Sequence, residues 1–238
     1  MKRKAPAARL FFLGGLLVLL ASCSHLAEMK KLNPATDQVL LDVCGSPYVK
    51  TPHRFVHAIE ATFPGGRSAT MLGVTVVDPG RQVLHSVLMT LEGLVLFDGQ
   101  SNGATLSVNR AVAPFDKESF AQNMMDDVRL LFQAPASPDP EHGVFKDGTT
   151  LCRFKGNTGE TLDVLIHPDR TWKIETYVTP FQPLREIMAS KLTGNIPGDI
   201  AFQGYTPRVY TLHLTLISAE PVSGESSPTE PGEETNNE

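Results

Sequence analysis

The sequence predicts a mainly β domain, about nine or ten antiparallel strands in a strongly curved sheet with one helix across its concave face. Three observations predict it. Turn signals recur at short intervals: Pro64-Gly65-Gly66, Asp78-Pro79-Gly80, Asp98-Gly99, Asn102-Gly103, Gly156-Asn157 and Pro168-Asp169. The runs between them are rich in Val, Ile, Leu, Thr and Phe and alternate apolar with polar, which gives each strand a core face and a solvent face. One segment breaks this rhythm with helical spacing.

In the first strand Phe55, His57, Ile59, Ala61 and Phe63 share a face. The next runs, MLGVTVVDPGRQVLHSVLMTLEGLVLFDG, are apolar at both parities. Across residues 85–98, counted straight through, Val87, Met89, Leu91, Val95 and Phe97 oppose Leu84, Leu88, Leu94 and Leu96. Something other than water must then cover each face. The expectation is a mid-sheet hairpin, one face towards the helix and the other under the lead-in segment or a second short helix. Leu106 and Val108, Leu162 with Val164 and Ile166, Trp172 with Ile174, and Tyr210 with Leu212, Leu214 and Leu216 alternate cleanly. The spacing of Phe120, Met124, Val128 and Leu131 predicts a helix over 115–132 with Asp116 as N-cap. Leu184, Ile187, Met188 and Leu192 fit a helix or a strand.

The N-terminus carries different information. Lys2, Arg3, Lys4 and Arg9 precede the 11-residue apolar run LFFLGGLLVLL, too short for a span that needs about 20 residues. It reads as a secretory signal. The junction Leu20-Ala21-Ser22-Cys23 resembles the lipobox of bacterial lipoproteins, which implies cleavage after residue 22 and acylation of Cys23. The protein would then be anchored to a membrane without spanning it. By analogy Ser24 implies the outer membrane, facing the periplasm. The chain divides accordingly into residues 1–22 (signal), 23–53 (lipidated N-terminus and tether), 54–219 (one domain) and 220–238 (tail). The tail has six glutamates and no cation and lacks the apolar content to order itself.

Net charge is −5; residues 1–22 hold four cations and no acid, so the chain from Cys23 carries −9, and about −3 without the tail. A nearly balanced body lacks the basic footprint of a nucleic-acid binder. With Cys23 committed to lipid, Cys44 and Cys152 either bridge in an oxidising compartment or stay as buried thiols.

The lipobox, the MLGVTVV and LHSVLMTLEGLVLFDG runs, a helix ending at LLFQ, then WKIETY and PGDIAFQGYTPRVYTLHLTL together resemble the LolA/LolB-like superfamily, and within it outer-membrane lipoproteins related to the LolB receptor. The resemblance spans about Arg54 to Ala219. It implies an incomplete β-barrel closed by a helical lid, with an apolar cavity for acyl chains of lipids or lipoproteins. The lining then expected is Phe55, Ile59, Leu72, Val74, Leu106, Val108, Phe120, Met124, Val128, Leu162, Val164, Trp172 and Ile174. The same stripe, fully packed, would be ordinary core. The LolB receptor presents an exposed apolar residue on a protruding loop, to which the sequence assigns no counterpart here.

No catalytic signature accompanies this pattern. Neither G-x-S-x-G nor S-x-x-K occurs. His53 and His57, four apart on a strand, stand about 13 Å apart, too far for a metal pair. Asp126 and Asp127 are adjacent on the helix and read as solvated surface. The expectation is a monomeric non-enzyme with no cofactor beyond the acyl anchor on Cys23. Its partners would be the membrane and acyl chains. The alternative is a structural or assembly lipoprotein that binds another envelope protein.

Overall fold

The structure, a computed structural model, describes residues 37–103, 105–135, 140–156, 159–179, 182–206 and 209–222. The expected signal, Cys23 and the chain from residue 223 lie outside them.

Twelve strands form a single antiparallel sheet: β1 (His53–Phe63), β2 (Arg67–Asp78), β3 (Val83–Met89), β4 (Val95–Asn102), β5 (Thr105–Ala111), β6 (Glu141–Val144), β7 (Thr150–Lys155), β8 (Thr161–Ile166), β9 (Trp172–Thr179), β10 (Gln182–Thr193), β11 (Ile196–Gly204) and β12 (Tyr210–Pro221). Their order is β5-β4-β3-β2-β1-β12-β11-β10-β9-β8-β7-β6, so β5 and β6 are the edges and the barrel is open between them. Among the described residues two helices accompany the sheet, α1 (Asp37–Cys44) and α2 (Glu118–Phe132).

The strands outnumber the nine or ten expected, partly because residues 182–193 are a strand and not a helix. Arg185, Ile187 and Ala189 share its inner face, opposite Thr176, Ile174 and Trp172 of β9. A charged residue at the first of these positions hides the period of two from a reading of apolar residues alone.

Register defines the inner face. Phe55, His57 and Ile59 of β1 stand opposite Thr75, Gly73 and Met71 of β2, and opposite Ala219, Leu216 and Leu214 of β12. Val164 of β8 faces Ile174, which faces Ile187, which faces Phe202, and all four are fully or almost fully buried. These side chains and the helices enclose one core.

The lead-in belongs to that core. Cys44 and Tyr48 are buried in it, Val43 and Val49 pack against it, and Cys44 is bonded to Cys152 of β7, with Cα atoms 5.7 Å apart. Of the two states open to these cysteines, the bridge is the one present. The folded body therefore begins by Asp37, before the expected boundary at Arg54, and β12 runs past Ala219 to Pro221, where Glu220 meets Arg54 at 2.5 Å.

The hairpin at 85–98 resolves differently from the expectation. It lies towards the β5 edge rather than mid-sheet. A register shift after Leu88 puts Phe97 opposite Leu88, so Leu84, Leu88 and Phe97 share the inner face, with Val87 and Met89 on the other. The parity of Phe97 is inverted because alternation cannot be counted through a turn. That turn closes by Gly93 N–H donating to the Thr90 carbonyl, with Gly93 at φ +88, a conformation that favours glycine. Leu91 and Leu94 stand on it exposed. Neither helix covers the outer face: α1 packs on β6 to β8, and α2 lies inside. Leu72, Val74, Val76, Val87 and Met89 are half-exposed there.

Candidate functional site

The helix α2 crosses the inner face, its first turns beside β5 and its last residues over β1 and β9. Its N-cap is Lys117, with no side-chain hydrogen bond, so Asp116 does not cap it. Ala121, Met125, Leu131 and Phe132 are its buried apolar residues. The expected stripe is thus rotated: Met124 and Val128 pack against the flank of the core, half-buried, while Met125 is fully buried. Two adjacent methionines made the choice of stripe ambiguous, and a charge decided it.

That charge is Asp127, which is buried and not part of a solvated surface. Its carboxylate accepts from Arg185 Nε at 2.6 Å and from the Tyr210 hydroxyl. Arg185 also donates to the Thr206 carbonyl at 2.6 Å. The Tyr210 ring lies so close to Gly204 that a Cβ there would meet Tyr210 Cε1 at 2.4 Å; glycine leaves room for the ring that brings the hydroxyl to α2. Burial pushes the Asp127 carboxyl up from its usual range, against the pull of Arg185 and Tyr210. Two residues on, Arg129 donates to the Gly103 carbonyl at 2.9 Å and pairs with Asp126 at 2.5 Å. The helix is therefore tied to β10 and β12 on one side and to the β4–β5 turn on the other.

Beneath its C-terminal end, Phe132 stacks on Phe55 with ring centroids 5.0 Å apart, and His57 lies 5.8 Å from Phe132. Burial lowers the His57 pKa from 6.5 to about 4. His57 folds neutral, while the unfolded chain takes a proton below about pH 6.5, so stability falls as pH drops from about 6.5 towards 4. The expected loss is about 3 kcal/mol, from 1.36 kcal/mol per pKa unit. Denaturant titrations across this range should show a slope that flattens in His57→Phe; an identical slope in that variant would sink the assignment. His53 sits apart, its Nδ1 2.8 Å from the Thr51 carbonyl. Among the described residues no cluster of three or more His, Cys, Asp or Glu side chains could hold a metal.

Among the described residues, two spaces beside α2 differ in size. Pro47, Val49, Phe55, His57, Leu131, Phe132 and Trp172 line one of about 20 Å³, room for one water. The other is an open groove of about 520 Å³ between β5 and the start of α2, with Leu106, Val108, Ala111 and Phe115 as its apolar wall and Asp116, Glu118 and Gln122 at its rim. Only this one falls within the roughly 300–1,000 Å³ of ligand sites.

The thirteen residues expected to line a cavity separate into three groups. Phe55, Ile59, Leu162, Val164, Trp172 and Ile174 share the inner face with the helix flank of Met124 and Val128, where packing leaves little space, and Phe120 sets its ring edge-on to Phe115 at the groove, centroids 5.2 Å apart. Leu106 and Val108 line the groove. Leu72 and Val74 do not join them: paired with Ala58 and Val56, they point to the outer face. Both faces of β2 are apolar, so its sequence does not distinguish them. Ala111, Phe115, Ala121 and Gln122 were missed because they lie at an edge strand, a loop and a helix start that no single periodicity joins.

No protein-family model matches the chain, and no curated protein matches it in sequence. Solved structures do. A LolA superfamily protein from Nitrosomonas europaea superposes with a TM-score of 0.53 at 10% identity, over 79% of this chain and 94% of that one. The chain has a LolA-like fold. An outer membrane lipoprotein-sorting protein domain from Vibrio parahaemolyticus, titled as putative, gives a TM-score of 0.48 at 8% identity over 82% of this chain and 96% of that one. A DUF1329 family protein from Desulfovibrio piger gives 0.49 at 8% identity, over 81% and 94%. In this chain that LolA-like fold is an open twelve-stranded sheet with α2 on its inner face.

Proposed function

We propose that the protein is an envelope lipoprotein, anchored through Cys23, that holds an acyl chain of a lipid or lipoprotein in the groove between β5 and α2. The observation that carries this is the groove itself: an apolar wall of Leu106, Val108, Ala111 and Phe115, open at one side, in a LolA-like fold. An acyl chain loses about 0.8 kcal/mol for each methylene moved into water, so a carrier must offer a dry surface along much of its length. Holding and releasing the chain needs no covalent step, only two states of the groove with different affinities.

The nearly filled interior under Phe132 favours a second reading, a protein-binding subunit of an envelope complex. One experiment separates them. The chain from residue 23 with Cys23→Ser, purified without detergent, is examined by native mass spectrometry and titrated with a fluorescent fatty acid. Bound acyl species, and uptake that falls at least about tenfold in Leu106→Glu or Val108→Glu but not in Met188→Glu, are the expected results. A tenfold loss corresponds to about 1.4 kcal/mol. A clean apo mass with no fatty-acid uptake leaves the protein-binding reading.

A further inference from the structure

The antiparallel register divides the hairpin turns between two ends of the sheet. Phe63 pairs with Arg67, Met89 with Val95, Thr179 with Gln182 and Gly204 with Tyr210, and these turns lie together at one rim. The turns after Asp78, Asn102, Val144, Ile166 and Thr193 lie at the other. The two rims differ in chemistry. Phe63, Leu91, Leu94, Val178, Tyr205 and Val209 stand 37–59% exposed at the first. At the second, polar side chains close the turns: Asp78 accepts from the Arg81 N–H, Asp147 from the Thr149 N–H, Asp169 from the Thr171 N–H, and Arg170 donates to Asn195. Val222, beyond β12, is the one exposed large apolar side chain among the described residues there.

We infer that the first rim docks on a phospholipid bilayer, inserting these apolar turns to the depth of the headgroup boundary; this rests on the anchored reading of Cys23. Protein-binding hot spots cluster in one packed patch, whereas here one or two apolar residues protrude from each of four separate hairpins. A bilayer accepts such scattered shallow insertions, and a tyrosine suits its interface. Asp37 follows Cys23 by 14 residues, at most roughly 50 Å of chain, so the tether can bring any rim to the membrane. The rim's charges are mixed in sign, with Arg67 and Lys155 beside Glu92 and Glu160, so apolar burial and not anionic lipid drives the contact. The groove runs along β5, from Leu106 beside the β4–β5 turn to Ala111 and Phe115 near this rim, where the Val112 N–H donates to the Leu96 carbonyl and the Phe115 N–H to the Val112 carbonyl.

The test is co-flotation of the Cys23→Ser chain with vesicles of phosphatidylethanolamine and phosphatidylglycerol, 3:1, at low and high salt. The chain is expected to float, with little change between the two salts. Phe63→Ser, Leu91→Ser, Leu94→Ser, Val178→Ser and Val209→Ser combined should lower partition at least tenfold while circular dichroism keeps the strand signal; the two-site Leu91→Ser, Leu94→Ser variant should give an intermediate loss. Val39→Ser, Met188→Ser and Ile217→Ser combined, equally exposed but elsewhere, should float as before. The proposal falls if the unsubstituted chain stays in solution, if the rim variant floats like it, or if the control loses as much. Fatty-acid uptake without vesicles, unchanged in the rim variant, tests the groove independently, so either reading can fail while the other stands.

Discussion

Asp127→Ala is expected to destabilise the protein by about 3–5 kcal/mol, because it leaves Arg185 charged and largely buried without its partner. Side-chain exposure is 12% for Asp127 and 11% for Arg185, so water can replace little of what is lost. Arg185 keeps the Leu184 and Thr206 carbonyls, which places the loss towards the lower half of that range. Tyr210→Phe removes one donor and leaves the ion pair, so it should cost only about 1–2 kcal/mol. The informative variant is Asp127→Leu with Arg185→Met. Replacing both charges by apolar groups is often neutral, so this protein should recover most of the single-mutant loss. Denaturant unfolding of the unsubstituted chain, Asp127→Leu, Arg185→Met and the double variant gives a coupling energy. Additive losses would mean that Asp127 and Arg185 do not act as a pair.

Loss of the Cys44–Cys152 bond should be comparable. It joins residues 108 apart, and a loop of that size is worth about 2–5 kcal/mol. At a chain of this length that is about 5–15 °C in Tm. Cys152 is fully buried, so reductant should act slowly in the cold and fully after unfolding, whereas Cys44→Ala with Cys152→Ala should show the whole shift at once. Tyr48, with Val43 and Val49 packed beside it, still holds the lead-in by apolar contact, so the variant should fold. Melting within a degree of the unsubstituted protein would show that the bridge adds nothing to those contacts.

These two features also explain what the sequence could and could not say. Strands with turn dipeptides at both ends and clean alternation, such as Leu162-Val164-Ile166 and Trp172-Ile174, are legible because one face meets water. Where both faces are apolar, as at Leu72 and Val74 against Met71 and Val77, alternation carries no direction, and register alone assigned the face. The misreading at 127 and the undecided reading of 184–192 have a single cause. Asp127 and Arg185, 58 residues apart, are each placed on an apolar face by the other. Read singly, the acid looks solvated and the arginine interrupts a strand. The groove was half legible: Leu106 and Val108 lie on a strand with a readable period, but Phe115 and Asp116 reach it from a loop.

The bridge to β7 also determines where a mechanical load goes. Tension on the chain ahead of Asp37 reaches Cys44 after one short helix and passes there through a covalent bond into β7, a strand paired on both sides by β6 and β8. The segment from 45 to 52 and the start of β1 are bypassed. Pulling from the N-terminal side therefore cannot unzip the domain from β1, and extension should stop at the crosslink until β7 itself is drawn from its neighbours.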